Sequence, residues 1–162
     1  MIRPAIAGDA DAIKGLALDN GMFAPDEMGE FDEMLSGYLE GTLAGHSWIV
    51  LEDESPELVG AAYYAPEPFA DRMWNLYFIA VRPGGHRSGA GRALISHVED
   101  ALRSQGDGVA RVLIVETSSL AGYEKARSFY RMNGYDEEAR IREFYGPGDH
   151  KVVFWKSLTT AT

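Results

Sequence analysis

Asn75-Leu-Tyr-Phe-Ile-Ala-Val81 runs directly into Arg82-Pro-Gly-Gly-His-Arg-Ser-Gly-Ala-Gly91 and then into Arg92-Ala-Leu-Ile95. The first stretch is aliphatic and aromatic and reads as a buried strand. The second is a glycine-rich loop, and the third opens an amphipathic helix. That order aims a row of backbone N–H groups at one point, and such a point binds phosphate or pyrophosphate. A P-loop ends in Gly-Lys-Ser/Thr, whereas Gly91 is followed by Arg92-Ala93, which excludes it. A dinucleotide fingerprint needs a small residue where Leu94 stands, and a series of parallel units that this chain lacks. A third pattern is left: an aliphatic strand ending at Val81, with Gly89 and Gly91 opening the helix.

Outward from this stretch the chain reads as one α/β unit. A short strand at Ile2–Pro4 leads into Gly8-Asp-Ala-Asp11, which starts a helix that runs to about Asp19 and is closed by Asn20-Gly21. Pro25-Asp-Glu27 opens a second helix with Met28, Phe31, Met34 and Leu35 on one face. His46–Leu51 and Leu58–Tyr64 flank the turn Glu52-Asp-Glu-Ser-Pro56 and predict a hairpin. After the strand 73–81, the next helix buries Leu94, Val98, Ala101 and Leu102 and stops at Gly106-Asp-Gly108. Arg111–Thr117 is nearly all apolar, as a strand covered on both faces is. A helix over Leu120–Asn133 ends at Gly134, and strands near Tyr135–Tyr145 and Lys151–Leu158 are joined by Gly146-Pro-Gly-Asp149. The order β-α-α-β-β-β-α-β-α-β-β predicts a mixed sheet of six to seven strands with helices on both faces. Strands 73–81 and 111–117 are forced parallel by the helix between them. The expected organisation is a single domain over residues 1–158 and a short tail at 159–162.

Composition narrows the partners. Net charge is −10 over 162 residues, and its distribution is uneven. Residues 1–71 carry two basic side chains, Arg3 and Lys14, against fifteen acidic ones, and no Lys or Arg lies between Gly15 and Asp71. Residues 72–162 carry thirteen basic against ten acidic. An acidic half is either a solvated surface or a place for a cationic substrate, beside a half that tolerates a phosphorylated cofactor. A nucleic acid partner is not expected from such a charge. Nor is a membrane partner, because the longest apolar run, Leu76–Val81, is far too short to span a bilayer. The chain has no cysteine, which excludes disulfides and thiolate chemistry, and its four histidines show no ligand spacing, so no metal is expected. The amino-terminal residues show no apolar signal segment, and a cytoplasmic location is expected.

A second motif gives the glycine loop its context. Ala126-Arg-Ser-Phe-Tyr130-Arg-Met-Asn-Gly134-Tyr135 follows the second parallel strand. Together with the strand, Gly89 and Gly91, it resembles the two signatures of the GCN5-related N-acetyltransferases, the GNAT family. The resemblance covers residues 1–158 in element order and about 73–135 in motif detail. It implies that the two parallel strands splay apart at their C-terminal ends and admit acetyl-CoA as acyl donor. Main-chain groups of Ile79, Ala80 and Val81 would then meet the acetyl and pantetheine end. The loop residues His86, Arg87, Ser88, Gly89, Ala90, Gly91 and Arg92 would meet the pyrophosphate. Tyr123 stands where the family often has an Asn on the cofactor. A homodimer is the family habit.

The implied activity is acetyl transfer from acetyl-CoA to a primary amine on a small molecule or peptide. The alternative on the same fold is a non-catalytic acyl-CoA-binding or protein-interaction domain. Transfer needs a neutral amine, yet an alkylamine has a pKa of about 10 and is protonated at neutral pH, so a base must take a proton. It also needs a proton for the departing thiolate. The family places Tyr130 near the coenzyme A sulfur, and a phenol stays protonated at pH 7. Histone-type members carry a glutamate where this chain has Asn75, so a carboxylate base is absent from that strand position. Glu116, near the end of an apolar strand, is the best replacement, and it reads equally well as a solvated or salt-bridged carboxylate. Tyr77 shares the face of Asn75 and lines a water path in this reading. Phe23, Tyr64, Asn75 and Tyr77 are the candidate acceptor-binding residues, since aromatic and acidic groups suit an amine. Phe144 and Tyr63 read more simply as core.

Overall fold

A computed structural model describes residues 1–23, 25–84 and 89–159. Among the described residues seven strands form one sheet in the order β1-β2-β3-β4-β5-β7-β6, numbered along the chain, with four α-helices between them. The sheet is mostly antiparallel. The pairing of β4 (Met73–Val81) with β5 (Val112–Ser118) is parallel, from Met73↔Val112 to Leu76↔Val115. By packing, the chain divides into two compact units, Met1–Ala65 with Phe78–Val98, and Pro66–Tyr77 with Glu99–Thr162.

The first unit holds β1 (Ile2–Pro4), α1 (Ala10–Asp19), α2 (Gly29–Leu39), β2 (Ser47–Leu51), β3 (Gly60–Pro66, less its last residue), the second half of β4 and the start of α3 (Ala90–Ser104). Both α1 and α2 are preceded by short 3-10 turns, at Ala7–Asp9 and Pro25–Glu27. The core is aromatic. Phe31 meets Trp48 and Phe78 edge-on at 5.3 and 5.2 Å, and Trp48 stacks on Tyr63 at 4.5 Å. Met28, Phe31 and Leu35 are buried as the helical spacing predicts, but Met34 is 43% exposed. It stands at the margin of the apolar stripe, where its sulfur accepts from the Tyr63 hydroxyl at 3.5 Å. In α3 the buried large apolar residues are Leu94, Ile95, Val98 and Leu102. Ile95 thus takes the place expected for Ala101, which is only half-buried.

Asp9 ties the amino-terminal strand to the first helix. Its carboxylate accepts from Arg3 at 2.8 and 3.0 Å and from the Ile6 N–H at 2.8 Å. The Arg3 guanidinium holds this carboxyl below the ordinary Asp range, against a smaller opposing effect of burial. A depressed carboxyl stabilises the fold above the unfolded Asp value of about 4, and that contribution is lost as pH falls through the folded value. Asp9→Asn is therefore expected to cost about 1–2 kcal/mol at pH 7. The difference from the parent chain should shrink toward pH 3 in urea unfolding; a gap independent of pH would remove the ion pair as its cause.

The second unit holds the first half of β4, the end of α3, β5, α4 (Glu124–Met132), β6 (Asp136–Gly146) and β7 (Asp149–Ser157). β7 lies between β5 and β6 and is antiparallel to both. α4 enters through a 3-10 turn at Ala121–Tyr123. It is anchored by the buried Arg127, which donates to the Ser118 and Leu120 carbonyls at 2.6 and 2.9 Å and to Glu124 at 2.8 Å. Glu99 accepts from the Tyr135 hydroxyl at 2.7 Å and from Lys156 at 2.9 Å, so its buried charge is both paired and hydrogen-bonded. Phe144 is exposed rather than core, with the Lys151 ammonium 3.7 Å from its ring centre.

Candidate active site

In the first unit, β4 presents two edges. Arg82 N–H donates to the Val59 carbonyl at 2.7 Å, which sets the main-chain groups of Ala80 and Arg82 toward β3. By strand alternation those of Ile79 and Val81 face the opposite way. The Val81 carbonyl there accepts from the Asn20 side-chain amide at 3.0 Å, tying the end of α1 to this strand. Ala80 and Val81 are buried and Ile79 is half-buried. Gly89 then has φ +82, a conformation that L side chains rarely adopt, and among the described residues nothing lies within 4 Å of where a Cβ would be. α3 begins at Ala90, and the N–H groups of its first turn, through Gly91 and Arg92, have no intrahelical acceptor. Ala90 is buried, Gly91 half-buried and Arg92 exposed. His86, Arg87 and Ser88 lie outside the described residues.

In the second unit, a polar chain runs across β4 and β5. Asn75, 1% exposed, donates through Nδ2 to Glu67 Oε2 at 3.0 Å and to Glu116 Oε1 at 2.8 Å. The Tyr77 hydroxyl donates to Glu67 Oε2 at 2.9 Å. Glu116 is also salt-bridged through Oε2 to Lys151. Thus Glu67, which the sequence reading did not single out, joins Asn75 to Tyr77, and Asn75 carries the chain on to Glu116. Glu67 N–H donates to the Met73 carbonyl at 2.8 Å, so the β3–β4 hairpin closes there. Side chains opposed across a hairpin share a face, and Met73, Asn75 and Tyr77 share one by alternation.

Tyr130 lies on α4 with 6% of its surface exposed, packed against Phe129, Tyr135 and Phe154 at 5.4–6.2 Å between ring centres. Burial pushes its hydroxyl well above the ordinary phenol range. Among the described residues that hydroxyl makes no hydrogen bond. Tyr123 is half-buried at the end of the 3-10 turn before α4.

The remaining acceptor candidates belong to the first unit. Phe23 is half-buried and packs on Phe31 at 5.6 Å, and Tyr64 is buried, with burial raising its hydroxyl. Tyr63, stacked on Trp48, bonds to His46 Nδ1, and burial pushes its hydroxyl up to about 12.

Known proteins give the chain its family. The family model described as "Acetyltransferase (GNAT) family" matches residues 16–135. The chain belongs to the GNAT family of acetyltransferases. A GNAT-family protein of Desulfovibrio desulfuricans is 31% identical over 98% of this chain and 99% of its own, with a TM-score of 0.88. More distant GNAT-like folds include yncA of Salmonella typhimurium, solved with its cofactor acetyl-CoA. It is 19% identical, with a TM-score of 0.78, over 100% of this chain and 95% of its own. The ribosomal-protein-S18-alanine N-acetyltransferase of Escherichia coli is 19% identical, with a TM-score of 0.76, over 100% and 96%. No protein of curated function matches the chain. Among the described residues no group of acidic or histidine side chains is arranged to hold a metal ion, and no helix is long and apolar enough to cross a membrane.

Proposed function

We propose that this GNAT chain transfers an acetyl group from acetyl-CoA to a primary amine of a small molecule or peptide, by direct attack of the neutral amine on the thioester. The observation that carries the reading is the entry to α3. A left-handed Gly89 leads into the first turn of a 15-residue helix, whose amides have no acceptor within the helix, and these suit a diphosphate. The outward-facing main chain at Ile79 and Val81 offers strand-type hydrogen bonds to an extended pantetheine arm. Acetyl-CoA supplies an activated acyl carbon and a thiolate that leaves readily. In this reading Tyr130, whose hydroxyl burial keeps protonated, stands as the proton donor to that thiolate. The absence of Lys and Arg from Gly15 to Asp71 favours a cationic acceptor over an anionic one.

The test is thiol release from acetyl-CoA across a panel of small amines, peptide α-amines and lysine side chains. At least one acceptor is expected to turn over at about 1 s⁻¹ or faster. Thermal stabilisation by coenzyme A with no thiol release on any amine would instead make the chain a binding module.

A further inference from the structure

We infer that Glu67 is the group that takes the proton from the acceptor ammonium, and that Asn75 holds it in place and receives an N–H of the acceptor on Oδ1. The inference rests on the acetyltransferase reading above and names the base that reading needs.

Two carboxylates meet at Asn75, and they are not equivalent. Glu116 is neutralised by Lys151, whose ammonium also sits over the Phe144 ring. Glu67 makes no ion pair among the described residues; its partners are two neutral donors, Asn75 Nδ2 and the Tyr77 hydroxyl, both on Oε2. Oε1 has no hydrogen-bond donor among the described residues. A half-buried carboxylate with one oxygen free of donors and no ion-pair partner among the described residues favours a cationic visitor.

The second observation concerns Asn75. Its amide orientation is fixed by chemistry, because Nδ2 faces two carboxylate oxygens and a flipped amide would set Oδ1 against both. Oδ1 is then a fully buried acceptor with no donor. Leaving such an atom unpaired is costly, and nature rarely does it without a ligand or water in view. One missing donor at Asn75 Oδ1 and one missing cation at Glu67 are both met by a single ammonium group, which carries three N–H donors.

The step balances simply. An N–H bond of the ammonium breaks, its electron pair stays on nitrogen, and the proton goes to Glu67. The neutral amine nitrogen then bonds the acyl carbon, the C–S bond breaks with its pair on sulfur, and the sulfur takes up one proton. Being only half-buried, Glu67 can pass its own proton on to solvent. Tyr77, 45% exposed, stands at the solvent side of this path.

Glu67→Gln tests this, since it keeps the shape and removes the basic oxygen. With an accepted amine, kcat/KM is expected to fall by at least about tenfold at pH 7. The deficit should narrow as pH rises toward 9. A variant without a base must draw on the neutral amine in solution, which grows about tenfold per pH unit below the amine pKa. Thermal stabilisation by coenzyme A should equal that of the parent chain. A Glu67→Gln rate equal to the parent's, or lowered equally at every pH, overturns the assignment while leaving acetyl transfer standing. No turnover by the parent chain on any amine overturns both.

Discussion

Tyr130→Phe is expected to lower kcat by about 10²- to 10³-fold while coenzyme A binds within about twofold of its affinity for the parent chain. The ring is packed on three other aromatics, and phenylalanine fills the same space. The hydroxyl has no hydrogen-bond partner among the described residues, so its removal takes nothing from the folded state. Stability should therefore stay level or rise while turnover collapses. That opposition marks a polar group retained for chemistry rather than for packing. The measurement pairs single-turnover thiol release with a urea midpoint on the same preparation. Unchanged release would leave the departing thiolate to be protonated by water and would remove Tyr130 from the reaction.

Phe154→Ala should show the reverse pattern, a loss of about 3–5 kcal/mol of stability. Phe154 is fully buried at the centre of β7, paired with Val115 of β5 and Glu137 of β6. Its ring lies 5.4 Å from that of Tyr130 and 5.8 Å from the Arg131 guanidinium. Alanine leaves a cavity that two hydrogen-bonded neighbouring strands cannot collapse into. For a domain with a total stability of about 5–15 kcal/mol, that is a third or more of what it has. The denaturant midpoint should fall with its slope unchanged, and Phe154→Leu should recover most of the loss. A cost for alanine below about 1 kcal/mol would mean the ring is not at a packed centre.

Much of this architecture is legible in the chain because its period is unambiguous. The run Val112–Val115 is apolar without alternation, as a strand covered on both faces must be, and it pairs in parallel with Met73–Leu76 as expected. Asn20-Gly21 and Gly146-Pro-Gly-Asp149 announce their turns by residue type, and both turns are where they were expected. Glu67 was hidden for a matching reason. The turn that aims it, between Glu67 and Met73, carries left-handed backbone at Phe69 (φ 67) and Arg72 (φ 54), neither of them glycine. Without a turn signature, no hairpin register could be written across it. Arg127 was hidden too, since a helical arginine ordinarily reads as solvated. It is buried here because a strand end and a 3-10 turn leave two carbonyls converging on one point. Phe144 failed in the other direction: β6 lies at the sheet margin, so strand spacing there does not imply burial.

The short connection between β3 and β4 has a consequence for changes of chain length. Strand geometry repeats every two residues, so gaining or losing a single residue just ahead of Glu67, where β3 ends at Pro66, would turn its carboxylate to the other face. Under the base assignment inferred above, such a change at a surface bend would cost acetyl transfer rather than the fold.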